Sequence, residues 1–229
     1  MTKIFLDTAD IAVIWKHSTD PRVEGFTTNP SILAAQGVSN YEQWIRAASD
    51  CTDKPISVEV TTDDITEMED QAHRLHELNS QLYVKIPITT TDGKPTNELI
   101  WRLSQEMKTN VTAVMTTDQV RSLVPDEITH SARPYIISVF AGRIADTGRD
   151  PVTAIDDALA IAYGSSYILW ASSREIYNYY QACQIGCDII TLTPELYVKL
   201  DLADRDLGGF SLDTVRMFDQ SARSAGLTI

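Results

Sequence analysis

A lysine lies in the middle of a short apolar run, where a charged side chain is unusual. Lys85 belongs to the segment Leu82–Pro87, LYVKIP. A short apolar run of this length predicts a buried β-strand. Burial favours the neutral form of an amine, and a neutral amine can form an imine with a ketone, which acts as an electron sink for carbon–carbon cleavage. A buried ion pair with Glu59 is the structural alternative, and Glu59 could also serve as a proton shuttle.

Polar side chains recur at one parity of the other predicted strands. Successive side chains of a strand point to opposite faces, and one face of a barrel strand fills the interior. A purely structural interior is mostly Val, Ile and Leu, because buried polar groups cost free energy unless they are paired. A polar interior therefore indicates an active site. The predicted inward polar residues are Asp7, Asn29, Glu59, Lys85, Asn110, Thr112, Ser138 and Ser172.

Two aromatic residues have the same predicted parity. Phe140 follows Ser138 by two residues, and Trp170 precedes Ser172 by two. Alternation therefore predicts that both rings face the barrel interior. A large indole at Trp170 would reshape the pocket, although it could equally fill a layer of the barrel.

Two arginines follow consecutive predicted strands. Arg143 lies in FAGR after the sixth strand, and Arg174 lies in ASSR after the seventh. Barrel active sites are built at the C-terminal ends of the strands, and arginine binds phosphate in a bidentate manner. The pair predicts a phosphate clamp, to which Ser172 and the N-terminus of a helix beginning near Arg174 would add donors. A surface ion pair is the alternative for each arginine alone.

The elements that would position these side chains alternate in type. Eight short apolar runs are separated by amphipathic stretches, and this alternation predicts a parallel sheet. Eight such units in 229 residues favour a single (β/α)₈ TIM barrel of the α/β class. The predicted strands are Ile4–Asp7, Gly25–Asn29, Ile56–Val60, Leu82–Pro87, Asn110–Val114, Tyr135–Ala141, Tyr167–Ser172 and Ile189–Leu192.

The chain shows no linker, so residues 1–229 are expected to form one barrel domain. The polar segment after the eighth strand, DLADRDLGGF, predicts a turn. An extra C-terminal helix within 211–229 is surplus to the barrel, and it could pack on its own barrel or on a neighbouring subunit.

Composition limits the possible partners. The net charge of −13 argues against nucleic acid, but a local basic pocket can still bind a small anion. No apolar run approaches the roughly 18 residues of a membrane span, and the first ten residues, MTKIFLDTAD, do not resemble a signal peptide. Three sparse cysteines fit a reducing compartment. We therefore expect a cytoplasmic protein with neither a metal site nor a membrane partner.

Seven motifs occur in the order typical of the transaldolase family. They are FLDTAD, GFTTNPSIL, SVEV, YVKIP, NVTAV, SVFAGRI and ASSRE, and they extend from Lys3 to about Leu200. TTNP together with the strand-four lysine is a specific combination. The chain resembles in particular the short subfamily that includes fructose-6-phosphate aldolases. The resemblance implies phosphorylated ketose and aldose substrates, no cofactor, and a homo-oligomer, commonly a pentamer or decamer.

The resemblance also implies a role for each matching residue. Lys85 would form the Schiff base, and Asp7 would handle the proton of the hydroxyl at the cleaved bond. Glu59 and Thr112 would hold the catalytic water. Asn29 and Asn110 would position the dihydroxyacetone unit, with Ser138 nearby, and Arg143, Ser172 and Arg174 would bind the phosphate. Thr27, Phe140 and Trp170 are further predicted substrate-binding residues, although Trp170 departs from the family, which usually has Gly or another small residue at that position.

Two positions bear on the reaction type. Aldolase-type members resemble this chain but carry Gln in place of Glu59 and Tyr in place of Phe140. The chain is therefore expected to transfer a dihydroxyacetone unit rather than release it. A lyase acting on fructose 6-phosphate, or an enzyme of a specialised pathway acting on an unusual sugar, is the alternative. A silent sugar-phosphate-binding protein belongs to a different class, and it would need no buried amine.

Overall fold

The computed structural model describes residues 1–124 and 135–227. Eight parallel strands close into a barrel in sequence order, so the predicted (β/α)₈ fold is confirmed. Each predicted strand is present, with ends that differ from the predicted bounds by up to two residues. The strands are β1 Lys3–Asp7, β2 Val23–Thr27, β3 Ile56–Glu59, β4 Tyr83–Pro87, β5 Thr109–Val114, β6 Ile136–Val139, β7 Tyr167–Trp170 and β8 Ile189–Leu192.

Helices follow the strands along the chain, and α4 shows why they form. Its side chains Met68, Ala72 and Leu75 are buried at helical spacing, and the carboxylate of Asp64 accepts a hydrogen bond from the Glu67 N–H. The helices are α1 Ile11–His17, α2 Pro30–Ala35, α3 Tyr41–Cys51, α4 Ile65–Leu78, α5 Asn97–Glu106, α6 Thr117–Leu123, α7 Ala141–Asp146, α8 Pro151–Ala162, α9 Tyr177–Gln184, α10 Pro194–Tyr197 and α11 Leu207–Ser224.

The chain forms two compact units, Met1–Tyr197 and Val198–Ile229. The first contains the barrel. The second contains a 3₁₀ helix, Val198–Leu202, and α11. The helix α11 begins at Leu207, within the segment that the sequence predicted to be a turn. The Asp206 carboxylate accepts a hydrogen bond from the Gly209 N–H at 2.6 Å, and such a cap favours a helix start in spite of two glycines in the first turn.

An apolar layer closes the N-terminal half of the barrel interior. Phe5, Ile136, Leu169, Ala171 and Ile189 form one buried cluster. The ring of Phe5 lies against Gly25, where a Cβ atom would come within 2.7 Å of it. The apolar side chains therefore fill the lower layer, and the polar side chains that follow them along the strands lie at the C-terminal ends.

A hydrogen-bonded carboxylate ties α10 to the segment between α1 and β2. Asp20 accepts hydrogen bonds from Tyr197 Oη at 2.6 Å and from the Arg22 N–H at 3.0 Å, and its Oδ2 lies 3.3 Å from His17 Nδ1. Partial burial raises the pKa of Asp20, but the hydrogen bonds from Tyr197, Arg22 and His17 outweigh burial and lower the pKa to about 2.

We expect Asp20→Asn to lower the free energy of unfolding by about 2 kcal/mol at neutral pH, because hydrogen bonds to a charged acceptor are weakened. A depressed pKa means that the ionised form stabilises the fold above the unfolded-state pKa of about 3.9, and that this contribution is lost as pH falls toward 2. Urea unfolding should therefore show a flatter pH dependence between about 4 and 2 in the variant. The matched control is Asp70→Asn, at an exposed carboxylate of α4. An equal loss in both variants would contradict the assignment.

Candidate active site

Strand register brings the predicted polar residues to one interior. The ladder pairs Asp7 with Thr27, Glu59 with Lys85, and Lys85 with Asn110. Residues paired in a parallel ladder point to the same side of the sheet, so these side chains share the barrel interior. This interior contains a cavity of about 60 Å³, and Glu59 and Asn110 are not among the residues that line it. The lining residues are Asp7, Thr27, Asn29, Lys85, Ser138, Phe140, Ala171, Ser172 and Thr191.

Lys85 is buried at the centre of this interior, with 6% of its surface exposed. Its Nζ donates a hydrogen bond to the Thr28 carbonyl at 2.7 Å and lies 3.2 Å from Glu59 Oε2. The contact with Glu59 is the buried ion pair that was considered above as the structural alternative to a catalytic lysine. It is also the geometry that a proton shuttle requires, because the carboxylate can take a proton directly from the amine.

Asp7 is a second carboxyl group that interacts with the charge of Lys85. Its carboxylate accepts a hydrogen bond from Thr27 Oγ1 at 2.7 Å, and that hydroxyl lies 3.3 Å from Thr191 Oγ1. Burial raises the pKa of Asp7, while the charge of Lys85 and the Thr27 hydroxyl act in the opposite direction. A carboxyl group with a raised pKa holds a proton closer to neutral pH, which suits general acid–base chemistry.

A chain of hydrogen bonds fixes the amide of Asn110. Its Nδ2 donates to Ser57 Oγ at 3.1 Å, and its Oδ1 accepts from Ser138 Oγ at 2.7 Å. Ser57 and Thr191 were not among the predicted site residues, although Ser57 shares the strand parity of Glu59. Asn29 has two roles. Its Oδ1 caps α2 by accepting a hydrogen bond from the Ile32 N–H at 3.0 Å, and the residue also lines the cavity.

Thr112 lies two residues beyond Asn110 on β5, opposite Pro87. It is 3% exposed, as expected for the inward parity. The following residue, Ala113, has φ of 63°, and the pairing of β5 with β6 shifts register between Val111 and Val114. Pairing with β4 stays regular through Thr112 and Pro87, so this ladder fixes the placement of the side chain.

The predicted inward placement of Trp170 is wrong. Register pairs Ser138 with Leu169, and Val139 with Trp170, so the indole faces the helices and not the cavity. Trp170 is fully buried there, and its Nε1 has no hydrogen-bond partner among the described residues. Leu169 belongs to the interior apolar cluster, so strand seven has the opposite parity to the one predicted.

Ser172 nevertheless lines the cavity beside Ala171. Its φ of 64° lies in the left-handed region, which interrupts the alternation of a strand. Two consecutive residues can then contribute to the same pocket. The predicted position of Ser172 thus arises from backbone geometry and not from the parity that suggested it.

The two arginines lie near each other at the end of the barrel. A Cβ atom at Gly142 would come within 1.6 Å of the Ser172 carbonyl, so only glycine lets α7 approach the segment after β7 this closely. Arg143 Cζ lies 5.4 Å from the centre of the Phe140 ring. Arg174 donates through Nε to Asp146 at 3.1 Å and through Nη2 to the same carboxylate.

The predicted helix start near Arg174 is corrected by the structure. The helix α9 begins at Tyr177, and the backbone N–H groups of Arg174 and Glu175 donate to Asn178 Oδ1 at 2.9 Å and 3.1 Å. These amides already have an acceptor, so they are not the open donors that the sequence suggested. Nor do the arginines line the 60 Å³ cavity; they lie exposed outside it.

Within residues 1–124 and 135–227, no three His, Cys, Asp or Glu side chains come together as a metal site requires. In the same part of the chain, no helix has both the length and the apolar character needed to cross a membrane.

Fold and site together define a barrel enzyme with a buried amine among carboxyl, amide and hydroxyl groups. The chain belongs to the transaldolase/fructose-6-phosphate aldolase family, whose model matches residues 4–228, so the resemblance suggested by the motifs is confirmed. A probable transaldolase of Streptococcus equi subsp. equi is 36% identical over 202 residues, covering 86% of this chain and 89% of that protein. One of Thermoanaerobacter sp. is 30% identical over 233 residues, covering 99% and 100%.

Solved structures show the same fold at low sequence identity. The copper homeostasis protein CutC of Streptococcus agalactiae, described as putative, has a TM-score of 0.62 at 15% identity, covering 83% of this chain and 98% of that one. Orotidine 5′-monophosphate decarboxylase of Metallosphaera sedula has a TM-score of 0.53 at 12% identity, covering 94% and 97%. These likenesses concern the barrel alone.

Proposed function

We propose that the protein is a transaldolase, which moves a dihydroxyacetone unit from a phosphorylated ketose to an aldose acceptor through a Schiff base on Lys85. The observation that carries this proposal is the placement of Lys85 Nζ, buried in the barrel and 3.2 Å from a carboxylate oxygen of Glu59. A binding protein would gain nothing from burying an amine there, because burial of a charged group is costly.

The proposed steps use four residues. The amine of Lys85 attacks the ketose carbonyl, and Glu59, with Thr112 holding a water, delivers the proton that lets the carbinolamine lose water. Asp7 then accepts the proton of the hydroxyl beside the bond that breaks, the electrons of that bond move into the iminium to give an enamine, and the rest of the ketose leaves as an aldehyde. The acceptor aldehyde reacts with the enamine, Asp7 returns its proton to the new hydroxyl, and water releases the product.

Substrate orientation is assigned to the polar residues around this centre. Asn29 and Asn110 position the dihydroxyacetone unit, with Thr27 and Ser138 beside them. The amide of Asn110 is held by two hydrogen bonds, so its orientation is set before substrate binds. Arg143, Ser172 and Arg174 bind the substrate phosphate, and Asp146 then shares Arg174 with that phosphate.

A lyase reaction, in which the ketose is cleaved without transfer to an acceptor, is the second candidate function. Glu59 and Phe140 favour transfer, since aldolase-type members that resemble the chain carry Gln and Tyr at these positions. The ring of Phe140 is half-buried and lines the cavity. A phenyl ring has no polar hydrogen, so it offers no proton to an enamine that waits for an acceptor.

We expect Phe140→Tyr to shift the reaction toward release of free dihydroxyacetone. In the unmodified enzyme, ketose consumption should depend strongly on an added acceptor such as erythrose 4-phosphate. The phenol would supply a donor near the enamine, so acceptor-independent consumption should rise by about 10-fold or more. The measurement is the ratio of ketose consumed with and without acceptor.

The matched control is Trp15→Tyr, at an exposed ring of α1, which should leave the ratio unchanged. Rapid acceptor-independent cleavage by the unmodified enzyme would overturn the transferase assignment in favour of the lyase. A panel of aldose acceptors is needed, because failure of erythrose 4-phosphate alone would reflect only acceptor choice.

We place the enzyme in the cytoplasm, in sugar-phosphate interconversion of the pentose phosphate type, as a homo-oligomer of five or ten subunits. Segment 211–229, of which 228 and 229 lie outside the described residues, would pack on a neighbouring subunit. Phe210, Val215 and Phe218 of α11 are exposed apolar side chains, which supports such packing. Native mass spectrometry gives the subunit number.

A further inference from the structure

A tyrosine outside the barrel holds the backbone of the strand that carries Glu59. Tyr41 is the first residue of α3. Its Oη accepts a hydrogen bond from the Glu59 N–H at 2.9 Å and donates one to the Glu59 carbonyl at 3.0 Å. Burial raises the pKa of Tyr41, so the phenol keeps its proton and its ability to donate. One hydroxyl therefore serves both backbone groups of Glu59.

These two bonds occur where the ladder between β2 and β3 would otherwise continue. The Thr28 N–H donates to the Ser57 carbonyl at 3.1 Å. Bonds of a parallel ladder are evenly spaced, so the next bond would join the Glu59 N–H to the Thr28 carbonyl. That carbonyl instead accepts from Lys85 Nζ at 2.7 Å, and the Glu59 N–H donates to Tyr41. The phenol thus takes the place of a ladder bond.

The replacement of the ladder bond by the phenol is important because buried backbone N–H and C=O groups need hydrogen-bond partners. Without the phenol, the Glu59 N–H loses its acceptor, and the ladder geometry makes the Thr28 carbonyl the nearest replacement. The Thr28 carbonyl would then accept from both Lys85 Nζ and the Glu59 N–H through its two lone pairs, so the lysine would share its acceptor. The outcome would be a lysine with less defined orientation and a carboxylate at a changed distance from it.

Tyr41 is itself held in place by its own helix. Its ring stacks on Trp44, with ring centroids 6.4 Å apart and an interplanar angle of 25°. Trp44 is buried, and its Nε1 donates to the Ala9 carbonyl at 2.8 Å. Ala9 follows β1, the strand that carries Asp7. The first turn of α3 therefore connects the ends of the two strands that supply the carboxyl groups.

We propose that Tyr41 is a positioning residue for Lys85. Its hydroxyl keeps the Thr28 carbonyl available to Lys85 Nζ and holds the Glu59 carboxylate 3.2 Å from that nitrogen. A neutral amine that donates one N–H to Thr28 has a restricted lone-pair direction, which is what attack on a carbonyl requires. This inference rests on the proposed Schiff-base role of Lys85, and it adds the residue that orients the nucleophile.

The test compares Tyr41→Phe with the unmodified enzyme by a reaction that needs no sugar. Acetylacetone condenses with a neutral lysine amine to give an enaminone and water, and peptide mass mapping reports the rate at Lys85. We expect Tyr41→Phe to slow labelling of Lys85 by about 10-fold to 100-fold. With a ketose phosphate that the enzyme turns over, kcat should fall by a similar factor while KM stays within about twofold.

The matched control is Tyr197→Phe, which removes a tyrosine hydroxyl bonded to Asp20 at 2.6 Å, outside the site residues. The control should lower thermal stability yet label Lys85 at the unmodified rate. If the Tyr41 variant is unfolded in buffer, both variants are labelled in a stabilising osmolyte such as sucrose, which cannot restore the hydroxyl.

Two results of the labelling experiment test the role of Tyr41, and a third result tests the proposed function. Slow labelling confined to Tyr41→Phe supports it. An unchanged labelling rate in Tyr41→Phe, or equal slowing in both variants, overturns it. A protein that labels at Lys85 but consumes no ketose phosphate would overturn the proposed function, while the labelling rates would still decide the role of Tyr41.

Discussion

Lys85→Met is expected to abolish turnover of ketose phosphates, with a loss on the order of 10⁴-fold or more in kcat. Methionine is close to lysine in length and fits a buried site, but it has no amine and cannot form the imine. Sodium borohydride treatment of the unmodified enzyme with its ketose should add a reduced sugar adduct to the peptide that contains Lys85. The variant should show no adduct by intact mass.

Two other lysines serve as matched controls. Lys94 is exposed and pairs with Asp92 at 2.9 Å, and Lys108 Nζ donates to Gln81 at 2.7 Å. Methionine at either position should leave turnover and the adduct intact. An adduct mapped to Lys94 or Lys108 would contradict the assignment of the covalent intermediate. Lys85→Met also leaves Glu59 without its partner, so the melting temperature is measured alongside to separate unfolding from loss of chemistry.

The inward placement of most site residues could be predicted because register and parity agree along β1 to β6. Asp7, Glu59 and Lys85 lie where simple alternation places them. The prediction failed on β7, because alternation gives two opposite faces without saying which is inside. The chain there offers Leu169 and Ala171 on one face and Trp170 on the other, and only the pairing of Ser138 with Leu169 decides between them.

Contacts between elements far apart in sequence could not be predicted in the same way. The bonds of Tyr41 with Glu59 depend on where α3 begins relative to the end of β3. The pairing of Arg174 with Asp146 depends on the close approach that Gly142 allows. Each is a long-range contact between polar groups, and local sequence pattern carries no information about such distances.

The pairing of Arg174 with Asp146 leads to the second large effect. Arg143→Ala and Arg174→Ala should each reduce kcat/KM for phosphorylated substrates by about 2–4 kcal/mol, roughly 30-fold to 1,000-fold, because a charge-assisted contact with phosphate is lost. Most of the loss should appear in KM. Thermal stability should change little, since Arg174 and Asp146 are both about half exposed, with side-chain exposures of 49% and 53%, and exposed ion pairs contribute about 0–1 kcal/mol.

Asp146→Ala separates phosphate binding from simple maintenance of the fold. It removes the same ion pair as Arg174→Ala but leaves the guanidinium, so it should change thermal stability equally and retain most of the activity toward phosphorylated substrates. Unphosphorylated analogues of the same ketose provide the second comparison, because they lack the group that the arginines would bind. If turnover of these analogues falls as much as turnover of the phosphorylated ketose in both arginine variants, the clamp assignment is wrong. Selective loss for the phosphorylated ketose, together with an active Asp146→Ala variant, would place the substrate phosphate at Arg143 and Arg174.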